Sequence, residues 1–131
     1  MKLRYLREAV LTATPAQRVV MLYDQLLQNI AIAENALAAP EPRDLKMAND
    51  NLVNAQEIVL TLQGVLRADI WDGAGSLAAL YLHLHGELVA ANMEQDADRL
   101  AAVAGMVGKL GEAFKIAATR VDQAASGAVA G

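Results

Sequence analysis

The sequence predicts an all-α protein, an antiparallel up-and-down four-helix bundle preceded by a mobile N-terminal segment. Three observations carry this. Hydrophobic residues make up 55% of the 131 residues and aromatics only 4%, and the apolar set is rich in alanine and leucine, which favour helix over strand. Apolar residues recur at spacings of three and four in four separate runs, the period of one helix face. The breaks between those runs are short, and long amphipathic helices with short connections pack as antiparallel neighbours. At this length one core serves the whole chain.

The first helix opens at Thr14-Pro15-Ala16-Gln17, with Thr14 as the cap, Pro15 at the first helical position and Gln17 placed to complete a capping box. Its apolar face follows through Val19, Leu22, Tyr23, Leu26, Ile30, Ala33 and Leu37, and Pro40-Glu41-Pro42 ends it. In the second, Leu45, Ala48, Leu52, Ala55, Val59, Leu62 and Leu66 alternate the two spacings without a miss to an end near Ala68. After a break at 69–75, Leu77, Leu80, Tyr81, Leu84, Leu88 and Ala91 mark a third helix, which stops near Glu94. Leu100, Val103, Val107, Leu110, Phe114, Ala117 and Val121 mark the fourth. The layout is therefore an N-terminal segment at 1–13, a bundle at 14–123 and a disordered tail at 124–131. Gly105, Gly108 and Gly111 sit inside the fourth helix, where each costs about 1 kcal/mol relative to alanine; close approach of a neighbouring helix is the expected reason.

Composition excludes several functions. A net charge of -4 is wrong for nucleic acid, which calls for a basic surface. Lys2, Arg4 and Arg7 cluster at the start, but charge interrupts the apolar stretch that a signal peptide needs, and no stretch is long enough to span a membrane. The absence of cysteine removes disulfides, thiolate metal sites and cysteine nucleophiles, and points to a reducing compartment, the cytoplasm. His83 and His85 are two apart on a helix and so face different ways, which prevents their sharing a metal. No glutamate has a histidine three residues on, and neither a glycine-rich phosphate loop nor a Gly-x-Ser-x-Gly elbow is present. No catalytic, cofactor or metal residue is assigned, and the chain is not expected to be an enzyme.

Three of the helices carry more apolar surface than a bundle uses. On the second, Met47, Asn51, Asn54, Ile58, Thr61 and Val65 form an uncharged line to one side of the core face. The third repeats the feature with Ala78, Leu82, His85 and Val89, and the first has Met21 and Ile32 beside Gln25 and Gln28. Single exposed apolar residues are ordinary, but aligned, charge-poor lines fit a groove that receives a partner helix or extended segment. Ile58, central in its line, is expected to tolerate a charge without loss of fold. Self-association into a weak homodimer would use the same surface.

Tyr5, Val10, Thr12-Ala13-Thr14-Pro15 and Met21-Leu22-Tyr23-Asp24 resemble the opening of the FliS family in order and spacing. Asn54-Ala55-Gln56-Glu57-Ile58-Val59, Leu77, Leu80-Tyr81, Ala91-Asn92 and Asp96 continue the likeness, which covers roughly residues 5 to 110. Ile70-Trp71 stands where the family has a glycine pair, Gln25 follows the Met-Leu-Tyr-Asp run in place of glycine, and Gly86-Glu87 replaces two arginines. The resemblance implies a cytoplasmic export chaperone that wraps the C-terminal region of flagellin, prevents premature polymerisation and helps deliver it to the export gate, with a co-chaperone as a possible further partner. It also adds Tyr5, Val10, Tyr23 and Tyr81 to Met21, Met47, Asn51, Asn54, Ile58, Val65, Leu82 and Val89 as client-binding candidates. Residues 1–11, apolar at Leu3, Tyr5, Leu6, Val10 and Leu11, are expected to act as a lid over the client groove or to touch the client directly. A secreted helical hairpin of the WXG100 kind is the competing reading, suggested by Trp71-Asp72-Gly73 between helices. A four-helix length and the lack of an acidic residue four positions after any tyrosine count against it.

Overall fold

A computed structural model describes residues 14–68 and 74–130; the expectations for 1–13, including the lid and the roles of Tyr5 and Val10, lie outside the described residues. Four helices follow in order, α1 (Pro15–Ala38), α2 (Leu45–Ala68), α3 (Ala74–Glu94) and α4 (Ala97–Ala130), with no strand among the described residues. Packing runs around a ring, α1 beside α2 and α4, and α3 beside α2 and, more sparsely, α4.

Local chemistry sets the ends. Thr14 Oγ1 accepts from the Gln17 amide and Gln17 Oε1 accepts from the Thr14 amide, both at 3.2 Å, which satisfies two amides that the first turn would leave orphaned. Asp44 accepts from the Met47 amide at 3.0 Å, and Asp96 from those of Asp98 and Arg99 at 3.0 and 3.2 Å, so α2 and α4 begin on carboxylates that also suit the positive end of a helix. Between α3 and α4 the chain reverses through Gln95 at φ 55.

Core residues are those of the apolar periods. Leu26, Ile30, Leu52, Val59, Leu84, Leu88, Leu100, Val103 and Val107 are fully buried, each such side chain being worth about 1.5–3 kcal/mol of transfer free energy. Two details of α4 differ from the sequence reading. Its inner face runs through Gly111 and Ala118, whereas Ala117 is exposed, because steps of four from Val107 and Phe114 follow the helical period better than a further step of three. The helix also continues to Ala130, across the segment read as a disordered tail, as four alanines in 124–130 allow.

Polar ties gather at one end of the bundle. Arg43 donates from Nη1 to the Leu37 carbonyl and from Nη2 to Gln95, both at 3.4 Å, which joins the α1–α2 connection to the α3–α4 turn. Asn92 donates to Asn49 at 2.9 Å, and Arg99 forks to Glu87 at 3.0 Å and Glu94 at 3.3 Å. Farther along the bundle, Leu66 near the end of α2 and Leu77 near the start of α3 line an apolar cavity.

Candidate functional site

Successive residues of a helix turn by about 100°, so α2 has two flanks beside its buried face. The Asn49–Asn92 hydrogen bond fixes which flank meets α3, and the line Met47, Asn51, Asn54, Ile58, Thr61 and Val65 therefore lies on the flank toward α1. Met47 is 46% exposed and Thr61 is exposed, while Asn51, Asn54, Ile58 and Val65 are half-buried. Ile58 packs against the core. A charge there would disturb the fold, which corrects the expectation that it is free to change. Across from this line α1 presents Asn29, which is buried and accepts from Gln25 Nε2 at 2.9 Å. Asn51 and Thr61 donate to the carbonyls of Met47 and Glu57, each four residues back, yet their oxygens remain available as acceptors. An uncharged strip with amide and hydroxyl groups among apolar ones can bind a partner helix and also satisfy its backbone ends.

The second surface lies over the outer edges of α2 and α3. Leu45, Val53 and Leu60 on α2, with Leu82 and Met93 on α3, account for five of the seven large apolar side chains exposed among the described residues. Leu82 was anticipated, and Val89 sits half-buried beside it. Val53, Leu60 and Met93 were missed, and Leu45, read as the first residue of the core face of the second helix, is exposed instead because it stands on the first turn, at the edge of that face. Spacings of eight and seven from Leu45 through Val53 to Leu60 were visible, but they fall on the flank opposite the line that drew attention. Apolar residues surround α3 on all sides, so its outer face carries a transfer cost with no counterpart inside the monomer.

Tyr23 and Tyr81 are in the core, at 1% and 2% exposure. Their hydroxyls meet at 2.7 Å, and Tyr23 stacks on Phe114 with ring centroids 5.2 Å apart. Burial raises the pKa of both, because either phenolate would be stripped of water. Beside them a cavity of about 120 Å³ opens between Val19, Leu62, Val65, Leu66, Leu77, Tyr81 and Phe114. Met21, half-buried on α1, lines a separate cleft of about 450 Å³ with Gln17, Val20, Lys115, Ala118 and Thr119, whose rim is tied by the Lys115–Asp24 ion pair at 3.3 Å.

The structure thus brings Met47, Asn51, Asn54, Ile58 and Val65 together on one flank, sets Leu82 and Val89 on another surface, and buries Tyr23 and Tyr81 in the core. No group of three metal-ligating side chains occurs among the described residues, and no described helix is long and apolar enough to cross a membrane. These surfaces suit the capture of an amphipathic chain.

The chain matches the family described as Flagellar protein FliS over residues 1–121. It is 35% identical over 128 residues to the flagellar secretion chaperone FliS of Bacillus subtilis (strain 168), an alignment that covers 96% of this chain and 93% of that protein. A match along nearly the whole bundle, from the capped start of α1 to the inner face of α4, means that this chain belongs to the FliS family.

Proposed function

We propose that the chain is a flagellar export chaperone whose client is the C-terminal segment of flagellin, held in the cytoplasm so that it does not polymerise before export. The observation that carries this reading is the pair of uncharged apolar strips on the two flanks of α2, Met47 to Val65 on one side and Leu45, Val53 and Leu60 with Leu82 on the other. A folded client would meet only one such flank. A segment that is unfolded when free can lie along both, and it needs the long apolar contact because it loses conformational entropy on binding. Tyr23 and Tyr81 serve in this reading as the rigid floor of the site. The export gate and a co-chaperone are further partners of the same reading, engaged on surfaces that the client leaves uncovered.

Calorimetric titration of the full chain with a peptide of the flagellin C-terminal segment tests the proposal. A one-to-one complex with a negative heat-capacity change and a gain of helical circular dichroism is expected. No binding, or equal binding to a scrambled peptide of the same composition, overturns it.

A further inference from the structure

Every sulfur atom of this chain is a thioether, since it has five methionines and no cysteine. The four methionines among the described residues fall into two classes. Met21 is half-buried in the cleft beside Lys115, and Met106 is half-buried against the core. Met47 and Met93 are the open ones, at 46% and 80% exposure. They divide between the two apolar surfaces: Met47 begins the strip on the α1 side of α2, and Met93 belongs to the outer surface that also holds Leu82. The Asn49–Asn92 hydrogen bond at 2.9 Å sets both at the same end of the bundle, where a chain passing from one surface to the other meets each of them.

That placement joins two properties of the thioether. It is a flexible apolar group that adapts to an irregular partner, and it is oxidised to a sulfoxide, which is polar. With hydrogen peroxide, a sulfur lone pair takes one oxygen, the O–O bond breaks, and the other oxygen leaves as water. Sulfur loses two electrons and the peroxide gains them. The product carries a hydrogen-bond acceptor where an apolar atom stood. Facing water, that acceptor costs the bundle little; under an apolar partner it is desolvated with no donor to meet it.

Resting on the client reading above, we propose that Met47 and Met93 form an oxidation-sensitive pair, at which conversion to the sulfoxide weakens client binding and leaves the bundle folded. With no thiol in the chain to react first, the open thioethers meet the oxidant. Bound client covers the same sulfurs and shields them. Methionine sulfoxide reductases restore the thioether, so the loss is reversible.

The test treats the full chain with hydrogen peroxide, removes the oxidant, and reads the product by peptide mass spectrometry and by calorimetric titration with a peptide of the flagellin C-terminal segment. Sulfoxide is expected to form several-fold faster at Met47 and Met93 than at Met21 and Met106, and to form more slowly at both when the peptide is present during treatment. Equal rates at all four sites, or no protection, overturn the proposal. The oxidised parent should bind the peptide several-fold more weakly with its helical circular dichroism unchanged. Met47→Leu with Met93→Leu keeps the apolar volume and should bind like the parent both before and after treatment. Retained affinity in the oxidised parent, an equal loss in the leucine variant, or a loss that comes with melting of the helices each rejects the oxidation site while leaving the client reading in place. Failure of the untreated parent to bind the peptide is a different result, since it removes the client reading and the oxidation site with it.

Discussion

At the scale of single residues, two side-chain pairs bear most on how the site is held. The hydroxyls of Tyr23 and Tyr81 satisfy each other in the core, so removing one leaves a buried donor or acceptor unpaired, at about 1–3 kcal/mol. Tyr23→Phe is expected to destabilise by that amount in urea titration, and Tyr23→Phe with Tyr81→Phe together to recover part of it; additive losses would show that the hydroxyl pair is not coupled. The pKa of each is raised in the folded state, so their contribution is complete below the unfolded tyrosine value of about 10. It falls as the pH rises beyond that point, where only the unfolded chain readily gives up the proton. The double variant should therefore lose less stability than the parent between neutral and strongly alkaline pH, and equal losses would refute the linkage. Thr14 offers a simpler case, since its hydroxyl and the Gln17 side chain close a reciprocal box. Thr14→Ala should cost about 1 kcal/mol, read as a lower denaturant midpoint with unchanged slope.

At the scale of elements, all four helices were legible because each has a period and at least one chemical stop. Thr14-Pro15 opens α1, Pro40 and Pro42 separate it from α2, and Asp96 restarts the chain as α4. Which flank of a helix stays exposed was less legible. Period alone gives the angle of Ile58 from the core face, but how far a neighbour overlaps that angle depends on interhelical packing, and α1 covers enough of it to leave Ile58 half-buried. The glycines of α4 show the same limit. Close approach was expected at all three, yet only Gly111 touches another helix, with an added Cβ 3.7 Å from that of Tyr23, while Gly105 and Gly108 face open space. Gly105→Ala and Gly108→Ala should each stabilise by about 1 kcal/mol through helix propensity and unfolded-state entropy. Thermal melts decide, and a loss of stability at either site would mean that α4 packs against something these contacts omit.

At the scale of the whole molecule, the bundle is unequal from end to end. Arg43, the Asn49–Asn92 pair and the Arg99 fork tie the end that holds the α3–α4 turn, whereas an apolar cavity of about 120 Å³ lies toward the start of α3. Hydrogen bonds and ion pairs of this kind contribute only about 0.5–1.5 kcal/mol each, so their joint effect is to hold register more than to add stability. Among the described residues, α2 carries an uncharged apolar strip on each flank, and a client that wraps the bundle must cross it. Met47 and Leu60, 46% and 51% exposed, stand on opposite flanks and contribute little to the core, so either accepts a charge without unfolding the chain. Met47→Asp and Leu60→Asp are each expected to weaken binding of the flagellin C-terminal segment by more than about tenfold, or 1.4 kcal/mol, because a carboxylate would face an apolar partner. Their positions share no contact, so the two losses should add in the double variant. A peptide cut to half its length should respond to only one of the two substitutions, since it reaches only one flank. Calorimetric titration of the four proteins with both peptides reads this directly: full affinity retained in either single variant would confine the client to one face and remove the wrapped arrangement.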